Sequence, residues 1–306
     1  MADRRILSLI ASSTETVCAL GLEADLVGRS HECDFPPSVE RLPICSEPKF
    51  DIHGSSLEID QRVKDALRDA LSVYRVHADV LKALQPTHII TQDQCEVCAV
   101  SLKDVEAAVC DVLDSSPKIV SLAPNSLEDI YAGILEMATS LGVADRGQNL
   151  VRDMQSRLKI IGEQYSTISQ KPSVVCVEWI DPFMPAGIWV PELVSMAGGN
   201  DLLGIPNKHT PVVPLEKLIE ANPDKIVVRP CGWGLKKTRA EMEEALKQTA
   251  WQSLRAVQSG ELYLTDGNHF FNRPGPRVVE SAEILAEIFH PETADYGHKG
   301  IGWERY

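Results

Sequence analysis

Thiols and imidazoles at two places in the N-terminal half could bind a transition metal or carry out redox chemistry. Cys95 and Cys98 form a C-x-x-C motif, and His31 and Cys33 are separated by a single residue. Thiolates and imidazoles build tetrahedral sites for zinc and also bind iron, so these four residues are the candidate metal ligands. Cysteines at a helix N-terminus can instead be redox-active, and buried free cysteines can act as small apolar side chains. The spacing leaves all three interpretations open.

Aromatic and charged side chains form a second set of candidates, suited to a flat organic ligand. Trp179 and Trp233 lie in predicted loops rather than on helical stripes, which favours ligand platforms over loop packing. Arg229 and Arg273 could hold an anionic ligand group bidentately, or pair with the protein's own carboxylates. His269 could contact a ligand ring or its metal, or satisfy a buried hydrogen bond.

The elements that would position these residues follow from a phrase that occurs twice. Residues 81–90 have the pattern L-x-x-L-x-P-x-x-I-I, and residues 218–227 have the pattern L-x-x-A-x-P-x-x-I-V. In each, an apolar helical turn ends at a proline, which cannot continue the helix. The β-branched run that follows is typical of a buried parallel strand. Because the copies lie in opposite halves of the chain, we predict two similar α/β lobes with a ligand cleft between them.

A long helix is predicted between the lobes. Residues from about 144 to 170 contain no proline and place Leu150, Met154, Leu158 and Ile161 at helical spacing. The predicted fold is therefore of the α/β class, with two Rossmann-like lobes joined by a long spine helix. The predicted segments are an N-terminal α/β lobe (1–143), the spine helix (144–171), a C-terminal α/β lobe (172–290) and a C-terminal tail (291–306).

Two other segments carry expectations that the structure can test. A helical stretch is predicted over about residues 58–84. The tail is predicted to be irregular but packed against the protein, because isolated tails rarely carry so many aromatic side chains as Tyr296, Trp303 and Tyr306 provide.

The carboxyl ends of the predicted strands select the ligand-binding candidates, because ligands of open α/β sheets bind beyond those ends. Such loops follow each predicted strand in both halves of the chain. The candidate ligand-binding residues are Ser13, Thr14, His31, Glu32, Gln94, Trp179, Phe183, Arg229, Trp233, His269, Phe270, Phe271 and Arg273.

Composition excludes several classes of function. The chain has 306 residues and a formal net charge of −14, without a basic stripe. It is therefore poorly suited to bind nucleic acid or an anionic membrane surface. No apolar run approaches the roughly 18–20 residues that a membrane span needs. Neither a G-x-G-x-x-G, a P-loop nor a G-x-S-x-G motif is present.

Cysteine usage bears on the compartment. The chain has eight cysteines, and the apolar run at residues 6–10 is too short for the core of a signal peptide. A chain of this size does not need disulfides for stability. We therefore expect reduced thiols in the cytoplasm, or a periplasmic location if a leader has been removed.

Several phrases resemble the class III substrate-binding proteins, which take up vitamin B12, siderophores and haem. These phrases are Arg5-Ile-Leu-Ser-Leu9 with Thr14-Glu15, Leu26-Val-Gly28 leading to Cys33-Asp-Phe-Pro-Pro37, Leu193 to Asp201, Leu215 to Val228, and Phe271-Asn-Arg-Pro-Gly-Pro-Arg277. The resemblance covers most of residues 5–289. It implies two Rossmann-like lobes joined by one long helix, with the ligand in the cleft.

The resemblance also ranks the functional hypotheses. It implies a binding protein, not an enzyme, whose ligand is a corrinoid or related tetrapyrrole chelate. Family members normally deliver their ligand to a membrane permease, which the expected cytoplasmic location argues against. One alternative is a zinc- or iron-binding protein. The other is an enzyme that pairs Cys33 with His31, or Cys231 with His269.

Overall fold

The computed structural model describes residues 4–69, 73–93, 105, 116–209 and 211–306. The chain divides into two compact units. The N-terminal unit comprises residues 1–54, 58–124 and 128–153, and the C-terminal unit comprises residues 55–57, 125–127 and 154–306. The division falls inside the predicted spine helix. The four-segment division predicted from the sequence remains a prediction.

The N-terminal unit is built on a four-stranded parallel sheet in the order β2-β1-β5-β6. A separate antiparallel pair is formed by β3 and β4. The strands are β1 (Ile6–Ser8), β2 (Leu26–Arg29), β3 (Ser46–Pro48), β4 (Tyr74–Val76), β5 (His88–Gln92) and β6 (Lys118–Leu122). The helices that begin in the first half of the chain are α1 (Ala11–Ala19), α2 (Ser56–Asp69), α3 (Ala78–Leu84), α4 (Leu127–Ser140) and α5 (Ala144–Tyr165).

The C-terminal unit contains a second sheet in the order β10-β7-β12-β13-β14, with β8 paired to β7. All neighbours are parallel except β8 with β7 and β14 with β13. A separate parallel pair is formed by β9 and β11. The strands of the C-terminal unit are β7 (Ser173–Trp179), β8 (Met184–Pro185), β9 (Gly187–Ile188), β10 (Asn200–Asp201), β11 (Ile205–Pro206), β12 (Lys225–Val228), β13 (Leu262–Thr265) and β14 (Trp303–Arg305). Its helices are α6 (Val190–Met196), α7 (Glu216–Ala221), α8 (Leu235–Ala245), α9 (Thr249–Gln252), α10 (Arg255–Gln258) and α11 (Val278–Phe289).

The repeated phrase folds in the same way in both units. Gln85 caps the C-terminus of α3 and Asn222 that of α7, and both residues adopt the left-handed conformation, with φ of 42° and 38°. A proline follows each, and the chain then enters an inner strand of its sheet, β5 or β12. The α/β fold predicted from this phrase, with inner parallel strands in both units, is confirmed.

Two local predictions are corrected by the structure. The helical stretch expected over 58–84 is interrupted by β4, because the run Val73-Tyr74-Arg75-Val76 favours a strand that pairs with β3. The spine helix α5 ends at Tyr165 rather than near residue 170. The first helix begins at Ala11, so the ligand-binding candidates Ser13 and Thr14 lie inside its first turns.

The C-terminal tail is packed, as expected, but it is not wholly irregular. Residues Trp303–Arg305 form β14 on the edge of the second sheet. The carboxylate of Glu287, which is 3% exposed, accepts hydrogen bonds from the Trp303 indole and from the backbone N–H groups of Tyr296 and His298. The buried Glu287 side chain of α11 therefore attaches the tail through three hydrogen bonds.

No helix in the described part of the chain is both long enough and apolar enough to cross a lipid bilayer.

Glu287→Ala tests how much the hydrogen bonds between Glu287 and the C-terminal tail contribute to stability. The substitution leaves buried donors without an acceptor, so the free energy of unfolding should fall by about 3 kcal/mol in chemical denaturation. Glu292→Ala, at an exposed position of the same tail, should change it by less than about 0.5 kcal/mol. Equal stability of the two variants would contradict the attachment.

Candidate functional site

A buried arginine connects the strand-end loops of the C-terminal unit. Arg229, 2% exposed, follows β12 directly. Its guanidinium donates to Glu178 Oε2 at 2.6 Å and to the side-chain oxygen of Asn272. The Asn272 amide donates back to the Arg229 carbonyl at 3.2 Å and to the Gly267 carbonyl at 2.7 Å. Of the two roles predicted for Arg229, the structure shows pairing with a carboxylate of the protein.

Two of the predicted aromatic residues contact each other in the C-terminal unit. The ring centroids of Trp179 and Trp233 are 4.9 Å apart, with an angle of 53° between the planes. The Lys237 ammonium lies 4.3 Å from the Trp233 ring centroid, and Trp233 is only 6% exposed. Trp179 is half-buried, and its indole N–H donates to the Ser56 carbonyl at 3.1 Å. Trp179 is therefore the better placed of the two to contact a ligand.

His269 is paired with an acidic side chain of its own loop. Its Nδ1 lies 3.0 Å from Asp266 Oδ2. Burial raises the pKa of Asp266, but hydrogen bonds from His269 and from the Asn268 amide outweigh it and hold the pKa below its ordinary value. The Arg273 guanidinium donates to the Asn268 side-chain oxygen at 3.0 Å. These contacts stabilise the loop that follows β13.

The neighbouring phenylalanines pack inward. Phe271 is fully buried with a φ of 67°, and its backbone N–H donates to Ser281 Oγ at 2.9 Å. Its carbonyl accepts from the Trp189 indole at 3.0 Å. Phe270, 8% exposed, lies under the Arg277 guanidinium at 4.6 Å from its ring centroid. In this structure both rings are packed inside the C-terminal unit, and their role as ligand contacts remains a prediction.

Phe183 lines a pocket of the C-terminal unit that has a volume of about 890 Å³. The pocket combines apolar side chains with three carboxylates. Its lining residues are Ser55, Leu57, Ile180, Asp181, Pro182, Phe183, Val212, Val213, Pro214, Leu215, Glu241, Glu244, Ala245, Gln248 and Trp251. A pocket of this volume is within the range of small-molecule sites.

In the N-terminal unit, Thr14 and Cys33 form a buried polar network. Thr14 Oγ1 lies 2.9 Å from Ser8 Oγ and 3.0 Å from Cys33 Sγ. Ser30 Oγ is 3.2 Å from the same sulfur. Burial raises the pKa of the Cys33 thiol, and the hydrogen bonds from its neighbours only partly oppose this. A neutral buried thiol is a poor nucleophile. Ser13 is also fully buried.

His31 belongs to a different group of side chains. Its Nδ1 lies 3.0 Å from Ser46 Oγ, and its ring centroid is 5.2 Å from that of Tyr74. The Tyr74 hydroxyl donates to Glu32 Oε1 at 3.4 Å. Burial lowers the pKa of His31, so its imidazole is neutral at neutral pH. Pairing of β3 with β4 brings Ser46 and Tyr74 to this histidine, a contact that the predicted helix over 58–84 concealed.

The metal-site hypothesis finds no support in this part of the chain. Gln94, Cys95 and Cys98 lie outside the described residues. Among the described residues, no group of three or more His, Cys, Asp or Glu side chains could hold a metal ion. In the structure Cys33 bonds to Thr14 and His31 to Ser46, and the four-ligand site with Cys95 and Cys98 remains a prediction.

Thiol alkylation of the folded protein tests this account of the cysteines. Cys231 is exposed, whereas Cys33 and Cys176 are buried, and burial raises the pKa of both buried thiols. Iodoacetamide at mildly alkaline pH should modify Cys231 at least tenfold faster than the buried pair, as peptide mass spectrometry would show. Denaturant should abolish the difference. Comparable rates for Cys33 and Cys231 in the folded protein would contradict the buried network.

Comparisons with known proteins accord with this architecture. A family model described as "Periplasmic binding protein" matches residues 6–268. The uncharacterized ABC transporter substrate-binding lipoprotein YvrC of Bacillus subtilis (strain 168) is 24% identical over 295 residues, covering 95% of this chain and 81% of that protein. The vitamin B12-binding protein of Photorhabdus laumondii is 22% identical over 288 residues, covering 94% and 88%.

Solved structures show the same fold. The periplasmic heme-binding protein RhuT from Roseiflexus sp. RS-1, in apo form, matches with a TM-score of 0.71 at 21% identity. The match covers 95% of this chain and 99% of that one. At this identity the structural likeness concerns the fold alone.

Proposed function

The chain belongs to the periplasmic binding protein family, and from this membership we propose that it binds a corrinoid or a related tetrapyrrole. The family consists of substrate-binding transport proteins rather than enzymes, so this chain is a substrate-binding protein and not an enzyme. The proposal concerns the chemical class of the ligand. A relative is named for vitamin B12 and a structural neighbour for heme, both tetrapyrrole-type chelates.

The observation that carries the proposal is the tryptophan pair at the strand ends of the C-terminal unit. A half-buried indole, Trp179, backed by Trp233, offers an aromatic surface to a flat apolar ring system. Arg229 is paired with Glu178, the residue that precedes Trp179 in β7. Such a surface suits a large, partly apolar chelate better than a small sugar or a bare metal ion, which would need convergent polar groups.

Isothermal titration with cobalamin, cobinamide and haem tests the ligand class. We expect binding heat with at least one of them. Whichever ligand binds with the highest affinity decides between the corrinoid and the haem alternative. Trp179→Ala should weaken that binding about tenfold, or about 1.4 kcal/mol, through loss of the aromatic contact.

Ile160→Ala, at an exposed position of α5, is the surface control and should bind like the wild type. Absence of heat with all three ligands would remove the tetrapyrrole proposal. Equal binding by Trp179→Ala and the control would remove the tryptophan from the site.

The cytoplasmic location expected from the sequence finds no support in the comparisons. The matching family is periplasmic, and the Bacillus subtilis relative is named a lipoprotein of an ABC transporter. We therefore propose the periplasmic alternative, in which the protein passes its ligand to an ABC permease.

Fractionation of the native host tests this location. The protein should be found outside the cytoplasm. Recovery in the cytoplasmic fraction with all eight thiols reduced would contradict the proposal.

A further inference from the structure

A short segment from the first half of the chain is built into the C-terminal unit. Residues 55–57 belong to that unit, although the residues on both sides belong to the N-terminal unit. Ser56 is fully buried. Its backbone N–H and its hydroxyl both donate to Glu241 Oε1, at 2.8 and 2.5 Å. The hydroxyl also accepts from the Asp181 N–H at 3.2 Å.

The remaining polar group of Ser56, its backbone carbonyl, is hydrogen-bonded to the indole of Trp179. The Ser56 carbonyl accepts the indole N–H at 3.1 Å, and an indole has only this one donor. The Trp233 ring packs against it, with the centroids 4.9 Å apart and an angle of 53° between the planes. A tryptophan side chain turns about two bonds only. A hydrogen bond from the indole N–H and a second ring packed against the first are therefore sufficient to define its orientation.

We propose that Ser56, held in place by Glu241, is a positioning residue that sets the orientation of the Trp179 ring. The inference rests on the proposed function, since orientation affects binding only if Trp179 contacts the ligand. The same anchor also places one wall of the neighbouring pocket, because Ser55 and Leu57 line it. The single carboxylate of Glu241, on α8, thus positions both the Trp179 ring and one wall of the adjacent pocket.

Three variants of α8 isolate this effect. Glu241→Ala removes the acceptor for Ser56. Glu241→Gln keeps a side-chain oxygen that can accept from the same N–H and hydroxyl. Glu243→Ala is the matched control, because this glutamate is exposed on the same helix. Each variant is measured in two ways, by the exciton couplet of adjacent indoles in far-ultraviolet circular dichroism and by titration with cyanocobalamin, dicyanocobinamide and haemin.

Glu241→Ala should lose the couplet and bind the preferred probe about tenfold more weakly, as expected for losing hydrogen bonds to a charged group. Glu241→Gln should retain both properties, and so should Glu243→Ala. A purely structural role for Glu241 would lower stability without removing the couplet from the folded protein.

Two outcomes overturn the inference. An unchanged couplet in folded Glu241→Ala shows that the anchor does not orient the indole, and a lost couplet with unchanged affinity shows that the orientation does not matter for binding. If the wild type binds none of the three probes, the ligand class is wrong, while the couplet still decides the positioning role.

Hydrogen exchange of the wild-type protein covers the case in which Glu241→Ala does not fold. The Ser56 amide proton should exchange slowly, because it is bonded to Glu241 inside the C-terminal unit. Exchange as fast as that of an exposed loop would overturn the anchor itself.

Discussion

One buried guanidinium holds the strand-end loops of the C-terminal unit together. Arg229 follows β12, its ionic partner Glu178 lies in β7, and Asn272 comes from the loop after β13. Removing one partner of a buried ion pair typically costs about 3–5 kcal/mol, so none of these three segments moves away freely. Trp179 directly follows Glu178 in β7 and contacts other partners, the Ser56 carbonyl and the Trp233 ring.

The parallel arrangement of the strands explains why residues distant in sequence meet. In each unit the carboxyl ends of parallel strands lie at one edge of the sheet. In the N-terminal unit this edge brings Ser8, Thr14 and Cys33 into one hydrogen-bonded network. In the C-terminal unit the same edge carries Arg229 with its bonded partners Glu178 and Asn272. Each sheet thus has a buried polar network at this edge.

The sequence predicted the elements better than it predicted the partners of individual side chains. The repeated helix–proline–strand phrase located β5 and β12, because proline and β-branched residues act locally. The partner of Arg229 was not predictable, since the chain offers 44 acidic residues and only the fold selects Glu178. Ser56 gave no signal, because its role depends on Glu241, which is 185 residues away. Thiol-rich loops suggested metal ligands, and the sequence did not reveal that Cys33 is buried against the hydroxyl groups of Thr14 and Ser30.

The proposed binding face for a tetrapyrrole-type ligand consists of the strand-end loops of the C-terminal unit. Hydrogen exchange measured by mass spectrometry, with and without the tightest-binding of the tested chelates, tests this placement. Bound ligand should slow exchange in peptides covering residues 178–183, 229–234 and 266–273, while exchange in the edge strand β14 remains unchanged. Protection confined to other segments, with these three loops unaffected by a saturating ligand, would contradict it.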